Sequence, residues 1–317
     1  MTLRTLYRAG LAAALFAGFT MAAAAEPPKV VVSIKPLHSL VAAVMDGVAP
    51  PTLLVKSGAD PHSHALKPSE AQALNDAKLV VWAGPGVETF LEKPVAALAG
   101  KAKVIRLDRE KSLKLLKARE GGAWEDDDHD KPGADKHEPK DSHGEIDGHL
   151  WLDPDNAAAI VRVVVRELSL ADKENAAKYA ANGEKALAAL KALDADLKKQ
   201  LAPVKAKRFM VSHDSIQYFE KRYGLAAAGS ISISPDRPPS AKRLHDIRSR
   251  ILRDRVVCVF GEPQVPDNLV KTVVEGTKAR TGTIDTDGGV AVPEGKDAYF
   301  TMMRNIGRSL VDCLVKG

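Results

Sequence analysis

Short apolar runs alternate with helical patterns twice along this chain, and that alternation limits the folds open to it. In the first half, Val30-Val31-Val32-Ser33-Ile34, Thr52-Leu53-Leu54-Val55, Lys78-Leu79-Val80-Val81-Trp82 and Lys103-Val104-Ile105-Arg106-Leu107 read as strands. Helical patterns over Pro36 to Met45, from Pro68-Ser69 onward, and over Glu88 to Leu98 separate them. The second half repeats the scheme. Strands are expected at Arg208 to Ser212, Leu225 to Ile231, Val256 to Phe260 and Gly282 to Ile284. Helices are expected at Ile216 to Tyr223, Ser240 to Asp254, Pro266 to Thr277 and Asp297 to Val315. Strands joined through helices pair in parallel, and a parallel sheet is covered on both faces.

Between the halves lie an amphipathic helix, Asp155 to Leu168, and a long run rich in Ala, Lys, Leu and Glu from Ala171 to Leu201, stopped by Pro203. A helix of that size is about 45 Å long, enough to cross a molecule of this size. Its apolar positions drift and Ala dominates, so a linking helix is favoured over a coiled-coil seam. The expected class is therefore α/β: two lobes with parallel sheets joined by a long linking helix. The boundaries are 26–168 for the first lobe, 169–203 for the linking helix and 204–317 for the second lobe.

The first 25 residues read as a secretory leader. Arg4 and Arg8 supply the positive end, Gly10 to Phe19 is small and apolar, and Met21 to Ala25 offers an Ala-x-Ala site before Glu26. The apolar run is shorter than the ~18–20 residues of a membrane span. The mature chain is thus expected to be soluble and exported, with no lipid-anchoring Cys near the cleavage site. The formal charge of +5 includes Arg4 and Arg8 and is otherwise spread along the chain, with no arginine–aromatic stripe, so no nucleic-acid partner is expected. The only cysteines are Cys258, in a strand pattern, and Cys313, in the last helix. An exported chain with two cysteines usually joins them, which predicts a disulfide between a core strand and the C-terminal helix.

From Glu120 to Asp147 the sequence is acidic and almost free of aliphatic residues. It cannot bury enough apolar surface to offset the entropy of ordering, so a disordered acidic loop is expected up to about Ile146. His129, His137 and His143 lie in it and suggest weak, mobile metal binding. Then the character changes at once to Asp147-Gly148-His149-Leu150-Trp151-Leu152-Asp153-Pro154, a histidine set in apolar residues.

The chain has nine histidines in different settings. His149 and His213 lie where strand-like segments meet loops, the junctions that line ligand crevices in open α/β sheets. His62 and His64 follow a strand, and Asp285 follows the short strand Gly282-Thr283-Ile284. Four loops are thus expected to point imidazoles and a carboxylate into one cleft between lobes. Such donors suit Zn²⁺ in a tetrahedral shell better than Mg²⁺ or Mn²⁺, although Cu²⁺ and Ni²⁺ accept imidazole as well. His64 reads as a rim residue, His38 as packing or cleft wall, and His245, among charged neighbours, as surface.

Six segments carry a specific resemblance. Ser33-Ile34-Lys35-Pro36-Leu37, Gly58-Ala59-Asp60-Pro61-His62, Leu66-Lys67-Pro68-Ser69, His149-Leu150-Trp151-Leu152, Val211-Ser212-His213-Asp214 and Gly282-Thr283-Ile284-Asp285 occur in order. From about Pro28 to Leu314 the chain resembles the ZnuA-like zinc receptors of the cluster A-I solute-binding family. The resemblance implies two pseudo-symmetric α/β lobes, a rigid linking helix, and one metal in the cleft between lobes. The family's first three ligands fall on His62, His149 and His213. Manganese members carry a carboxylate at the third position, so His213 points to zinc. Some zinc members have Glu before the first histidine; here Pro61 stands there, which leaves Asp285 or a water for the fourth place. Zinc members also share a disulfide where Cys258 and Cys313 fall.

The implied function is that of a monomeric periplasmic receptor delivering Zn²⁺ to an inner-membrane ABC permease, by binding and release without a chemical step. A metal buffer or chaperone, or a receptor for another divalent metal such as manganese, is the alternative. A zinc hydrolase is disfavoured: the chain lacks His-Glu-x-x-His, and Asp214 is the one near neighbour that offers a general base.

Overall fold

The computed structural model describes residues 26–56, 58–119, 146–232, 239–264 and 267–315. The expected leader and the acidic loop with His129, His137 and His143 lie outside them. The first half holds strands β1 (Val30–Val32), β2 (Thr52–Leu53), β3 (Leu79–Trp82) and β4 (Lys103–Arg106), with helices α1 (Lys35–Val44), α2 (Pro68–Asp76) and α3 (Glu92–Leu98). Helices α4 (Pro154–Ala171) and α5 (Ala176–Leu201) follow. The second half holds β5 (Phe209–His213), α6 (Gln217–Tyr223), β6 (Ala227–Ser232), α7 (Ala241–Arg253), β7 (Cys258–Gly261), α8 (Asn268–Val274), β8 (Arg280–Thr283) and α9 (Ala298–Val315).

Each half forms a four-stranded parallel sheet. The orders are β2-β1-β3-β4 and β6-β5-β7-β8, the same order when the first four strands are matched to the last four. In both sheets the chain moves outward one way from the first strand, then returns to its other side. That reversal opens a crevice beyond the strand ends, between β1 and β3 in one lobe and between β5 and β7 in the other. Val30 to Val32 and Leu79 to Trp82 are buried at every position, as strands covered on both faces must be.

The helices begin and end on chemistry legible in the chain. Asp153 caps α4, its carboxylate accepting from the Asp155 amide, with Pro154 at the first helical position. Gly224 ends α6 at φ 64°, a left-handed conformation that glycine adopts without a Cβ penalty. The linking helix starts later than its composition suggests. Asp172 breaks the run by accepting from the Asn175 amide, the Asn175 side chain and the Tyr179 hydroxyl, so α4 extends to Ala171 and α5 opens at Ala176.

Helix α5 buries Tyr179, Asn182, Gly183, Ala186, Leu190, Leu193, Leu197 and Leu201, a stripe at helical spacing, against α1, α4 and α9. One continuous apolar core therefore runs from β1 and α1 through α4 and α5 to β5 and α9, with a smaller core on the outer face of each sheet. Polar contacts tie the linking helix to the first half, and the two halves to each other. The Asn182 side chain donates to the carbonyls of Val44 (3.0 Å) and Asp46 (2.9 Å), and the Tyr299 amide donates to Ser39 Oγ (2.9 Å). Cys258 on β7 and Cys313 on α9 are joined, their Cα atoms 6.2 Å apart.

Candidate metal centre

Two loops and the end of a strand carry the imidazoles. His62 lies in the loop between β2 and α2, where Asp60 Oδ1 accepts from the His62 amide (2.9 Å) and Oδ2 from Ser63 Oγ (3.0 Å). His149 leads into a 3₁₀ turn, Leu150–Leu152, whose three side chains are fully buried. The Trp151 ring lies 5.4 Å from the imidazole, and its Nε1 donates to the Thr286 carbonyl (3.0 Å). His213 is the last residue of β5, at the crevice between β5 and β7.

The three rings form a near-equilateral triangle, with centroids 5.5, 5.4 and 5.3 Å apart. Their nitrogen atoms converge within 4.8 Å of one another, and Nε2 of His149 lies 3.4 Å from Nε2 of His213. Two nitrogens at zinc-bond length in a tetrahedral shell are themselves about 3.3 Å apart. The pair is thus spaced to receive an ion without moving. His149 and His213 are 5% and 3% exposed, while His62 is half-buried.

Carboxylates fix both buried rings. Asp147 Oδ1 lies 2.9 Å from His149 Nδ1 and also accepts from the His149 amide (3.0 Å). Glu262, the residue after β7, places Oε2 2.7 Å from His213 Nδ1, and its Oε1 accepts from Ser215 Oγ (2.9 Å). The ring Nδ1–H donates to such a carboxylate, which leaves the Nε2 lone pair for a metal. Burial, with His213 as a like-charged neighbour, pushes the His149 pKa down to about 3, so this ring stays neutral. Burial opposes charge on His213 too, but the Glu262 carboxylate outweighs it and lifts that pKa above the ordinary imidazole value.

Asp285 sits apart from this convergence. Among the described residues, the group with mutually close donor atoms holds the three histidines and not Asp285. Its Oδ1 accepts from Gln264 Nε2 and from the Asp287 amide, both at 3.2 Å. The loop carrying it is gripped from the other lobe by Lys35, whose Nζ donates to the carbonyls of Gly288, Gly289 and Val292 (2.7 Å for the last). His64 is turned away to Glu70 (2.9 Å) and Phe90, His38 to the Pro51 carbonyl (3.0 Å), and His245 is exposed on α7.

Sequence reasoning missed Glu262, Lys35 and the role of Asp147. Asp147 carried a local signal, two residues before His149. Glu262 carried a topological one: the residue after β7 faces the end of β5 across the crevice.

The family model described as the periplasmic component A of the zinc-uptake complex, ZnuA, matches residues 30–313. The chain is similar to the high-affinity zinc uptake system protein ZnuA of Brucella abortus, 43% identical across 99% of this chain and 100% of that protein. It is also similar to the protein of that name from Yersinia pestis, 36% identical across 98% of each. Among solved structures, a crystal structure of ZnuA superposes with a TM-score of 0.73, covering 90% of this chain and 99% of the other at 22% identity, which speaks to the fold.

Proposed function

This chain belongs to the ZnuA family of periplasmic zinc-uptake components, and from that premise we propose that it is a zinc receptor with His62, His149 and His213 as its protein ligands. The observation that carries the assignment is the convergence of three imidazoles from two loops and a strand end, two of them held by carboxylates with Nε2 atoms 3.4 Å apart. An all-nitrogen set favours Zn²⁺ over the oxygen-seeking Mn²⁺ and Mg²⁺. We assign the fourth place to a water, because the Asp285 carboxylate stands outside the converging group. The chemistry is capture and release. The ion is cargo, handed to an ABC permease at the inner membrane by a monomeric chain that its leader, residues 1–25, brings to the periplasm. No helix among the described residues is long and apolar enough to cross a membrane.

Zinc titration against a chromophoric chelator tests the reading. The wild-type chain should take up one tight equivalent, and His149→Ala or His213→Ala should lose most of that affinity. Tight binding that survives both substitutions would place the site elsewhere.

A further inference from the structure

The segments that enter and leave residues 120–145 form a clasp against the second lobe. Lys117 and Ile146 make an antiparallel bridge, and the Asp147 amide donates to the Leu116 carbonyl (2.9 Å). Helix α6 then holds both segments. The Tyr218 hydroxyl accepts from the Leu116 amide (2.9 Å) and donates to the Asp147 carbonyl (3.0 Å). With its amide nitrogen turned toward them, Gln217 reaches Asp147 Oδ2 (3.0 Å) and the Lys117 carbonyl (3.1 Å).

Arg119 completes the circuit. Its Nε donates to Asp214 Oδ2 (2.7 Å), its Nη2 to the other Asp214 oxygen, and its Nη1 to Glu220 Oε2 (2.8 Å). All three side chains are largely buried. The two-pronged grip on Asp214 is one that guanidinium makes and ammonium does not. Asp214 directly follows His213, and Asp147 holds the His149 ring. A chain of contacts therefore runs from one buried imidazole to the other: His149, Asp147, the bridged segments, Arg119, Asp214, His213. It crosses from the first lobe to the second without passing through the ion position.

We propose that Arg119 is a positioning residue for metal binding: through Asp214, and with Tyr218 closing the clasp, it sets the spacing of the His149 and His213 nitrogens. This rests on the zinc-receptor reading above. Arg119 grips the Asp214 and Glu220 carboxylates. It acts by fixing the turn after β5 against the segment that bears Asp147. Partners of metal ligands typically change affinity by about 10–100-fold when removed, and Arg119 is expected within that range.

The test compares Arg119→Gln, Arg119→Lys and Tyr218→Phe with the wild-type full chain. Zinc affinity is measured by chelator competition, the ligand-field spectrum with Co²⁺ alone as probe, and the melting temperature on the metal-free protein. Arg119→Gln should weaken zinc by roughly 10–100-fold and alter the cobalt spectrum. Arg119→Lys, which keeps the charge but not the fork, should fall between it and wild type. Tyr218→Phe should move both readings the same way by a smaller factor. Wild-type affinity and cobalt spectrum in the variants, with only the melting temperature lowered, would overturn the proposal and leave the clasp a purely structural feature. If Arg119→Gln does not fold, the same two readings on Tyr218→Phe decide. A wild-type chain that fails to bind zinc tightly would refute the receptor reading instead.

Discussion

Glu262 is the residue on which the electrostatics of the site turn. Its carboxylate, 2.7 Å from His213 Nδ1, favours the charged imidazolium in the metal-free protein, while burial keeps His149 neutral. A protonated imidazole is no ligand, so zinc competes with a proton at His213 but not at His149 near neutral pH. Because the His213 pKa is raised, zinc affinity should weaken already above pH 6.5, the ordinary imidazole value, by about tenfold per pH unit once below that pKa. Calorimetric titrations across a pH series check this. Stability of the metal-free protein has the opposite dependence at this residue: a raised pKa contributes stability that is present at low pH and lost as pH rises through it. Glu262→Gln keeps a hydrogen-bond acceptor but removes the charge. It should move the onset of weakening to lower pH and cost about tenfold or more in zinc affinity at high pH.

At the scale of elements, the strand–helix alternation was readable because buried parallel strands are written as unbroken apolar runs such as Val30 to Val32. His149 was readable because a histidine beside Leu150-Trp151-Leu152 is anomalous in composition. The start of α5 was not, because Asp172 breaks a helix-forming run by local hydrogen bonds that leave the composition unchanged. Glu262 and Lys35 were hidden for another reason: their partners are far away in sequence, and the topology alone brings them together. An added Cβ at Gly183 would lie 2.6 Å from Val165 Cγ2, so Gly183→Ala should force α4 and α5 apart and lower stability by about 1–3 kcal/mol in denaturant melts. The Cys258–Cys313 bond closes a segment of 55 residues between β7 and α9. Replacing both cysteines by serine should lower stability by about 4 kcal/mol and leave zinc affinity nearly unchanged, since neither residue approaches the histidines.

Across the whole molecule, one apolar core continues through both lobes and α5 lies along it, so a wide hinge would have to open buried surface. Metal capture is therefore assigned to small movements of the ligand-bearing segments, with His62 the least buried of the three imidazoles. Small-angle scattering of the metal-free and zinc-loaded protein should give superimposable curves; a clear compaction on loading would indicate lobe closure. Deleting residues 125–143 should leave the tight site intact and remove only weaker zinc equivalents. A large loss of the tightest binding in a calorimetric titration would contradict that. The most direct test of the assignment itself is an anomalous difference map at the zinc edge from crystals of the loaded protein. The account predicts a single strong peak at about 2.0–2.1 Å from Nε2 of His149 and of His213 and from a ring nitrogen of His62. No peak there, or peaks only at His129 and His137, would contradict it.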